Sequence, residues 1–356
     1  AGAHPDAKAD LATCFIERCL GFCSGAAGSV TLVTPQNWLF LGSYKVLRKR
    51  LLCKVTWNYV VRLGEHGFES SAAAGAFTSL VTLTECSPTG PSELACLDAS
   101  APTSPDEKAS LLDSASMTNV SQQEQLRNPD ARIVLEYRSS EVASMLSIFA
   151  TSSHGLGTFD SERFNQYFWE ELTIASGWVA EQSAPVAGKH FSGCDMVLRW
   201  QEGSGQLAEL MQLKEAQGYS SGKWKAGTSV WRRKGVLVSL MRSMPVSFYV
   251  SGAFDPNSAA IIPHEEENLG AIYEFCRSGV LHDEVRKLHS AIYVPPHTFL
   301  KVPFDLAHWQ KVAAEKYPQG LPKPFSSDPT QWLFNGRPSE SDQPLHVAVA
   351  RLIGYQ

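Results

Sequence analysis

The chain has 356 residues, 44% hydrophobic and 19% charged with a formal net of -5, the proportions of a folded, core-forming protein rather than a disordered one. Its apolar runs are a few residues long, against roughly 20 for a bilayer span, and residues 1–15 carry no basic-then-apolar leader, so the expectation is a cytoplasmic protein with no membrane partner. Eight cysteines without paired spacing or a CxxC argue against a disulfide framework or structural zinc, and for reduced thiols packed as small hydrophobes.

Residues 11–23 place Leu11, Phe15, Ile16, Cys19, Leu20 and Cys23 at helical spacing behind Asp10, an N-cap residue type, and predict a helix. The β-branched run at 29–35 predicts a buried strand, and Ser43 is placed to cap a second helix ending near residue 54. Lys45, Arg48, Lys49, Arg50 and Lys54 then form its solvated face, opposite Val46, Leu47, Leu51 and Leu52. Strands follow near 57–63 and 77–84, with a Gly/Ala/Ser-rich loop between them. This alternation over residues 1–86 predicts α/β structure, the second half of a doubly wound, Rossmann-like sheet with an edge it cannot cover itself.

Residues 87–131 hold seven acids and two bases, so this stretch alone accounts for the net charge. Its Ser, Pro, Thr and Ala content predicts an acidic connection, and the two Ser-x-x-Glu patterns at 104–107 and 121–124 predict short helices within it. From 132 to 335 aromatic residues and short strands predict a mixed α+β domain. Strands are expected at 194–200, 236–241, 246–251 and 259–262, and helices at 265–278, 283–289 and 305–317. Residues 336–356 predict the start of a further, helical element.

Residues 211–245 carry seven bases (Lys214, Lys223, Lys225, Arg232, Arg233, Lys234 and Arg242) and one acid, Glu215, interleaved with Tyr219, Trp224 and Trp231. Cations neutralise phosphates and flat rings stack on bases, so Lys223, Trp224, Lys225, Trp231, Arg232, Arg233 and Lys234 are the candidate DNA-binding residues. No metal-ligating pair, nucleophile elbow, P-loop or ExK nuclease triplet is present, and the acids after His264 read as the first turn of a helix. The GLGTF run at 155–159 follows a helix-like stretch, which excludes a strand-borne cofactor loop.

The blocks DLATCFIERCL, GSVTLVTPQNWLFLGSYKVLRKRLL, VVRLGEHGFE and AFTSLVTLTE resemble the later part of the catalytic domain of adenine-N6 DNA methyltransferases. SERFNQYFWE, SGKWKAGTSVWRRKGVLVSLM, FLKVPFDLAHWQKVAAEKYP and SSDPTQWLFNG extend the resemblance to the large methylases of BREX and phage-growth-limitation defence systems and to fused restriction-modification methylases. It implies a C-terminal fragment of such an enzyme, with a target-recognition domain at 132–335 that enters the major groove of double-stranded DNA. It also implies other defence-system proteins as partners, and S-adenosylmethionine bound mainly by residues upstream of this chain. The family's Asn-Pro-Pro-Tyr motif and glycine loop would lie before Asp10, and the Asn-Pro pair at 128–129 lacks the second proline and the aromatic, so the fragment alone is expected to be inactive. Carried over residue by residue, the resemblance gives Phe68 as the ring on a flipped adenine and Phe15 as a ring lining the cofactor's adenine. Within the recognition domain, arginine suits a guanine edge and lysine a phosphate. The alternative is a DNA-binding recognition module with no catalytic role.

Overall fold

The computed structural model describes residues 3–23, 27–70, 72–136, 144–170, 177–220, 222–250, 252–326 and 328–334, with Leu345, Ala348 and Val349. The helix expected after 336 lies largely outside the described residues. The chain forms a mixed α/β structure divided into two compact units, the first spanning Ala1–Glu141 and Arg286–Ala291 and the second Val142–Val285 and Ile292–Gln356. Among the described residues no helix is long and apolar enough to cross a membrane.

In the first unit Asp10 caps α1 (Leu11–Phe22) by accepting from the Ala12 amide, as its position predicts. β1 (Ser29–Pro35), α2 (Lys45–Lys54), β2 (Thr56–Gly64) and β3 (Thr78–Thr84) follow in the expected order. A 3-10 turn over Gly42–Tyr44 intervenes before α2, so Ser43 does not cap that helix. β4 (Glu93–Asp98), α3 (Pro105–Ser114), β5 (Thr118–Ser121) and α4 (Gln122–Gln125) complete the unit. The five strands form one sheet in the order β1-β3-β2-β4-β5.

Two expectations change here. Only the β2–β4 pair is parallel, whereas a doubly wound sheet is mostly parallel; the described residues between β2 and β3 hold no crossover helix, and those strands run antiparallel. The acidic stretch is also more than a connection. Both Ser-x-x-Glu signals cap real helices, Ser104 on α3 and Ser121 on α4, but β4 and β5 join the sheet, and buried polar side chains sew the stretch to its neighbours. Lys108 donates from Nζ to the Leu63 and Ala99 carbonyls at 2.7 and 2.9 Å. Gln122 donates to the Leu52 and Val55 carbonyls and accepts from the Trp57 amide.

Arg48 corrects the picture of a solvated basic face on α2. It is fully buried, and its guanidinium donates to four backbone carbonyls, those of Trp38, Leu41, Asp130 and Ala131, at 2.6 to 3.0 Å. Burial and the neighbouring Arg132 pull its pKa down to about 9, with Asp130 opposing them, so it remains charged at neutral pH. The apolar core of this unit includes Trp38 and Trp57, with ring centroids 5.4 Å apart, Leu47, Leu51, Val60 and Leu83.

The second unit holds two four-stranded sheets. β6 (Ala150–His154) leads through α5 (Ser161–Phe164) to β7 (Asn165–Tyr167), β8 (Trp178–Gln182) and β9 (Met196–Arg199). After α6 (Gln206–Ala216) come β10 (Gly235–Ser239), β11 (Val246–Tyr249), β12 (Ala253–Phe254) and β13 (Ser258–Pro263), then α7 (Leu269–Arg277), α8 (Val280–Leu288), whose residues from Arg286 on are assigned to the first unit, and α9 (Leu306–Lys316). One sheet is ordered β11-β10-β13-β6 and the other β12-β8-β9-β7. Every residue of β10, β11 and β13 is buried, which explains their continuous apolar runs. α7 covers this sheet, Tyr273 stacking on Phe248 at 3.7 Å, and its buried Glu274 accepts from Tyr317 at 2.6 Å and pairs with Lys316 of α9. α9 is capped by Asp305 and ends just before Pro318. Cys96, Cys194 and Cys276 are buried, as expected of packed thiols, but Cys53 and Cys86 are exposed.

The two sheets are joined by Gln182, fully buried at the end of β8. Its Nε2 lies 3.0, 2.9 and 3.2 Å from the Ser192 carbonyl, the Phe248 carbonyl and the Ser247 hydroxyl, and its Oε1 accepts from the Val250 amide at 3.1 Å. Each buried polar group left without a partner costs about 1–3 kcal/mol. Gln182→Leu strands at least two such groups and is expected to lower unfolding stability by roughly 3 kcal/mol, read from urea midpoints at constant slope. Arg48→Met, which strips four carbonyls of their donor, is expected to cost at least as much; a melting temperature within a degree of the parent's would contradict the hub role of this guanidinium.

Candidate nucleic-acid interface

Between α6 and β10 the basic stretch is a loop, held down by its own tryptophans. Trp224 and Trp231 both pack on Trp200, with ring centroids at 5.7 and 5.1 Å, and this trio joins Leu156, Phe164, Leu198 and Met211 in one apolar cluster. The contact draws the 223–225 and 231–234 segments onto a shared scaffold. Gly227 is what lets the loop lie so close: its φ is +77°, and a Cβ there would stand 2.7 Å from the Phe254 ring and 2.8 Å from the His154 carbonyl.

This geometry divides the seven sequence-derived candidates. Lys223, Lys225 and Arg232 are exposed, and among the described residues none of the three is in an ion pair. Lys225 Nζ rests 4.4 Å from the centre of the Trp224 ring, and Arg232 sits at φ +64°, a corner that lifts it from the loop. Arg233 and Lys234 are also exposed but engaged: Arg233 donates to the Pro263 carbonyl at 3.3 Å and Lys234 pairs with Glu266. Trp224 and Trp231 are half-buried parts of the scaffold rather than open stacking surfaces. Among the described residues of this unit Phe159, Tyr167 and Tyr219 present open rings, with exposures of 53%, 43% and 65%, as do Phe325 and Tyr293. Sequence alone did not single out Phe159 and Tyr167, because nothing in the pattern separates an exposed ring from a core one.

The GLGTF run lies beside this loop. It follows strand β6, so the reason for excluding a cofactor loop changes. The amides of Gly155, Leu156 and Gly157 already donate to the carbonyls of Ser258, Phe254 and Lys223, at 3.1, 3.0 and 3.2 Å, so the glycine-bearing part of the run offers no amide to a phosphate. Gly155 has no room for a side chain, since a Cβ would come within 1.9 Å of the Asp255 carbonyl oxygen. Thr158 donates to Asn165 Oδ1 at 3.2 Å, and Asn165 donates in turn to the buried carboxylate of Glu181.

Glu181 is the most strongly perturbed carboxyl of this region. Burial raises its pKa to about 7; the Asn165 hydrogen bond opposes that shift, and the charges of Asp255 and Asp195 add to it. His264 donates from Nδ1 to the Ile148 carbonyl at 2.9 Å, and among the described residues no three His, Cys, Asp or Glu side chains converge to hold a metal.

In the first unit, Phe68 lies on the β2–β3 loop with 42% of its surface exposed, and Phe15 projects from α1 with 56% exposed. Phe15 is therefore not core, despite its helical spacing with Ile16 and Leu20, which do face inward.

No family model matches this chain, and no curated protein matches it. Among solved structures, the chain is similar to the Type IIL restriction-modification enzyme MmeI in complex with DNA, with a TM-score of 0.53 and 13% identity over 97% of this chain and 49% of that one. Weaker likenesses are to a nuclease-deletion mutant of the Type ISP restriction-modification enzyme LlaGI with a DNA substrate mimic (TM-score 0.43, 9% identity, 81% and 35% covered) and to a DrdV–DNA complex (TM-score 0.43, 9% identity, 95% and 42% covered). The fold shared with MmeI runs through nearly the whole chain, which spans about half the length of that enzyme.

Because the folded-state pKa of Glu181 lies above its ordinary value of 4.5, folding takes up a proton, and stability falls as pH rises from about 4.5 to about 7. Glu181→Gln removes that dependence. The variant is expected to match the parent near pH 4 and to exceed it at pH 8 by on the order of 3 kcal/mol, and urea midpoints whose gap fails to widen with pH would contradict this.

Proposed function

We propose that this chain provides the DNA-reading unit, and part of the catalytic domain, of an adenine-N6 DNA methyltransferase of a restriction-modification or phage-defence system. The observation that carries it is the fold shared along 97% of the chain with a restriction-modification enzyme solved in complex with DNA. The sequence blocks that resemble the methylases fall in both units, and the second unit bears the outward cations Lys223, Lys225 and Arg232 on a rigid tryptophan scaffold. Such a surface neutralises phosphates and sets a protein's register on duplex DNA; an arginine among them can also read a guanine edge.

S-adenosylmethionine would supply the methyl group. On this chain Phe15 is the residue assigned to the cofactor's adenine and Phe68 to the flipped target base, and both rings are exposed enough to take a planar partner. Leu11 and Phe22 are exposed beside Phe15 on α1, and Val33 on edge strand β1, an apolar surface that suits further protein completing the catalytic domain.

Duplex binding tests the recognition half directly. In a fluorescence-anisotropy titration the chain is expected to bind DNA with strong salt dependence, and reversing Lys223, Lys225 and Arg232 to Glu is expected to weaken binding and lower the log–log salt slope by roughly 2 to 3. An unchanged slope would remove these residues from the interface. The catalytic half is tested in the source itself, where adenine-N6 methylation of native DNA is expected to vanish when the parent gene is deleted.

A further inference from the structure

Phe159 occupies a position that packing does not explain. Its ring is 53% exposed and its backbone sits at φ +60°, a left-handed conformation that bulky residues rarely adopt. The residues around it are immobilised: Gly155, Leu156 and Gly157 are tied by their amides to β13, β12 and the basic loop, Thr158 is buried and bonded to Asn165, and the Phe164 amide donates to the Asp160 carbonyl to begin α5. A rigid corner thus holds an apolar ring out in solvent. That corner adjoins the basic loop, because Gly157 donates to the Lys223 carbonyl at 3.2 Å and a Cβ on Gly157 would lie 3.9 Å from Lys223 Cβ.

We infer that Phe159 is a stacking residue, which packs its ring against a nucleobase unstacked from DNA held by the neighbouring Lys223–Lys225 segment. Charge complementarity selects the occupant, since the exposed Lys223, Lys225 and Arg232 of the adjoining loop favour a polyanion and the open ring suits the face of a base. A protein partner would find a single ring, followed in sequence by Asp160 and Glu162, rather than a continuous apolar patch. The strained corner is the kind of local conformation that persists where function requires it. This inference rests on the DNA-reading function proposed above.

The test uses the intact chain with random-sequence duplexes and single strands containing 5-iodouracil. Photocrosslinking followed by mass spectrometry is expected to place a nucleobase on Phe159. Phe159→Ala is expected to weaken binding by between about 5-fold and about 150-fold with the salt slope unchanged, while Phe159→Trp restores it. Phe159→Gly supplies the control for folding. Glycine accepts φ +60° without strain, so this variant is expected to melt at a higher temperature than the parent while losing affinity like the alanine variant. If the parent binds DNA, Phe159→Ala binds within twofold of it and no crosslink reaches Phe159, the stacking role is overturned and the DNA-reading function stands. A drop in melting temperature in both Phe159→Ala and Phe159→Gly would make the ring a packing residue and likewise overturn the inference. Failure of the intact chain to bind DNA would defeat both.

Discussion

The buried amide of Gln182 is the constraint from which the geometry of the second unit follows. Two four-stranded sheets meet there, and a single side chain satisfies acceptors on β11 and beyond β8 while its oxygen takes the Val250 amide. The Gln182 carbonyl in turn receives the Asp255 amide at 3.0 Å, which fixes the turn between β12 and β13. The 155–157 segment hangs its amides on that turn and on the basic loop, so a chain of hydrogen bonds runs from the sheet junction to Lys223. An amide is suited to this junction because it is donor and acceptor at once and carries no charge to desolvate.

On this framework the basic loop is positioned by apolar contacts and not by ion pairs. Trp224 and Trp231 contribute their area to a cluster with Trp200, while the lysines and arginines around them keep their charged heads in water. Lys234 and Glu266 form an exposed pair of the kind worth at most about 1 kcal/mol, too little to organise a loop. The outward cations therefore cost the fold little and remain available for a polyanion.

The first unit uses cations in the opposite way. Arg48, Lys108 and Arg132 are buried, and Arg48 and Lys108 serve as donors to backbone carbonyls at places where loops meet the sheet. Burial lowers the pKa of all three, and the carbonyls and Asp130 around them provide the compensating interactions. The acidic stretch is held to the sheet by these same contacts, so a segment whose composition resembles a linker contributes two strands.

Local signals were legible at several helix starts, though not at Ser43, where a 3-10 turn intervenes before α2. Asp10, Ser104 and Ser121 cap the helices their spacing predicts, because a cap bonds amides two or three residues away. The apolar runs became β10, β11 and β13, since burial on both faces demands unbroken hydrophobicity. β4, β5, β6 and β8 were not legible: each is short, and their polar or mixed residues become strands only through partners far along the chain.

The candidate site divides along the same line. Sequence by itself determined that positive charge and aromatic rings concentrate at 211–245, that acids concentrate at 87–131, and which residue types were available for DNA. Only the tertiary structure decided that Arg48 turns inward, that Trp224 and Trp231 are scaffold, and that Phe159 is an open ring two residues from Gly157, which bonds to Lys223. Charge and residue type are properties of the chain, but the exposure of a particular side chain depends on which distant segments pack around it, and no local pattern encodes that.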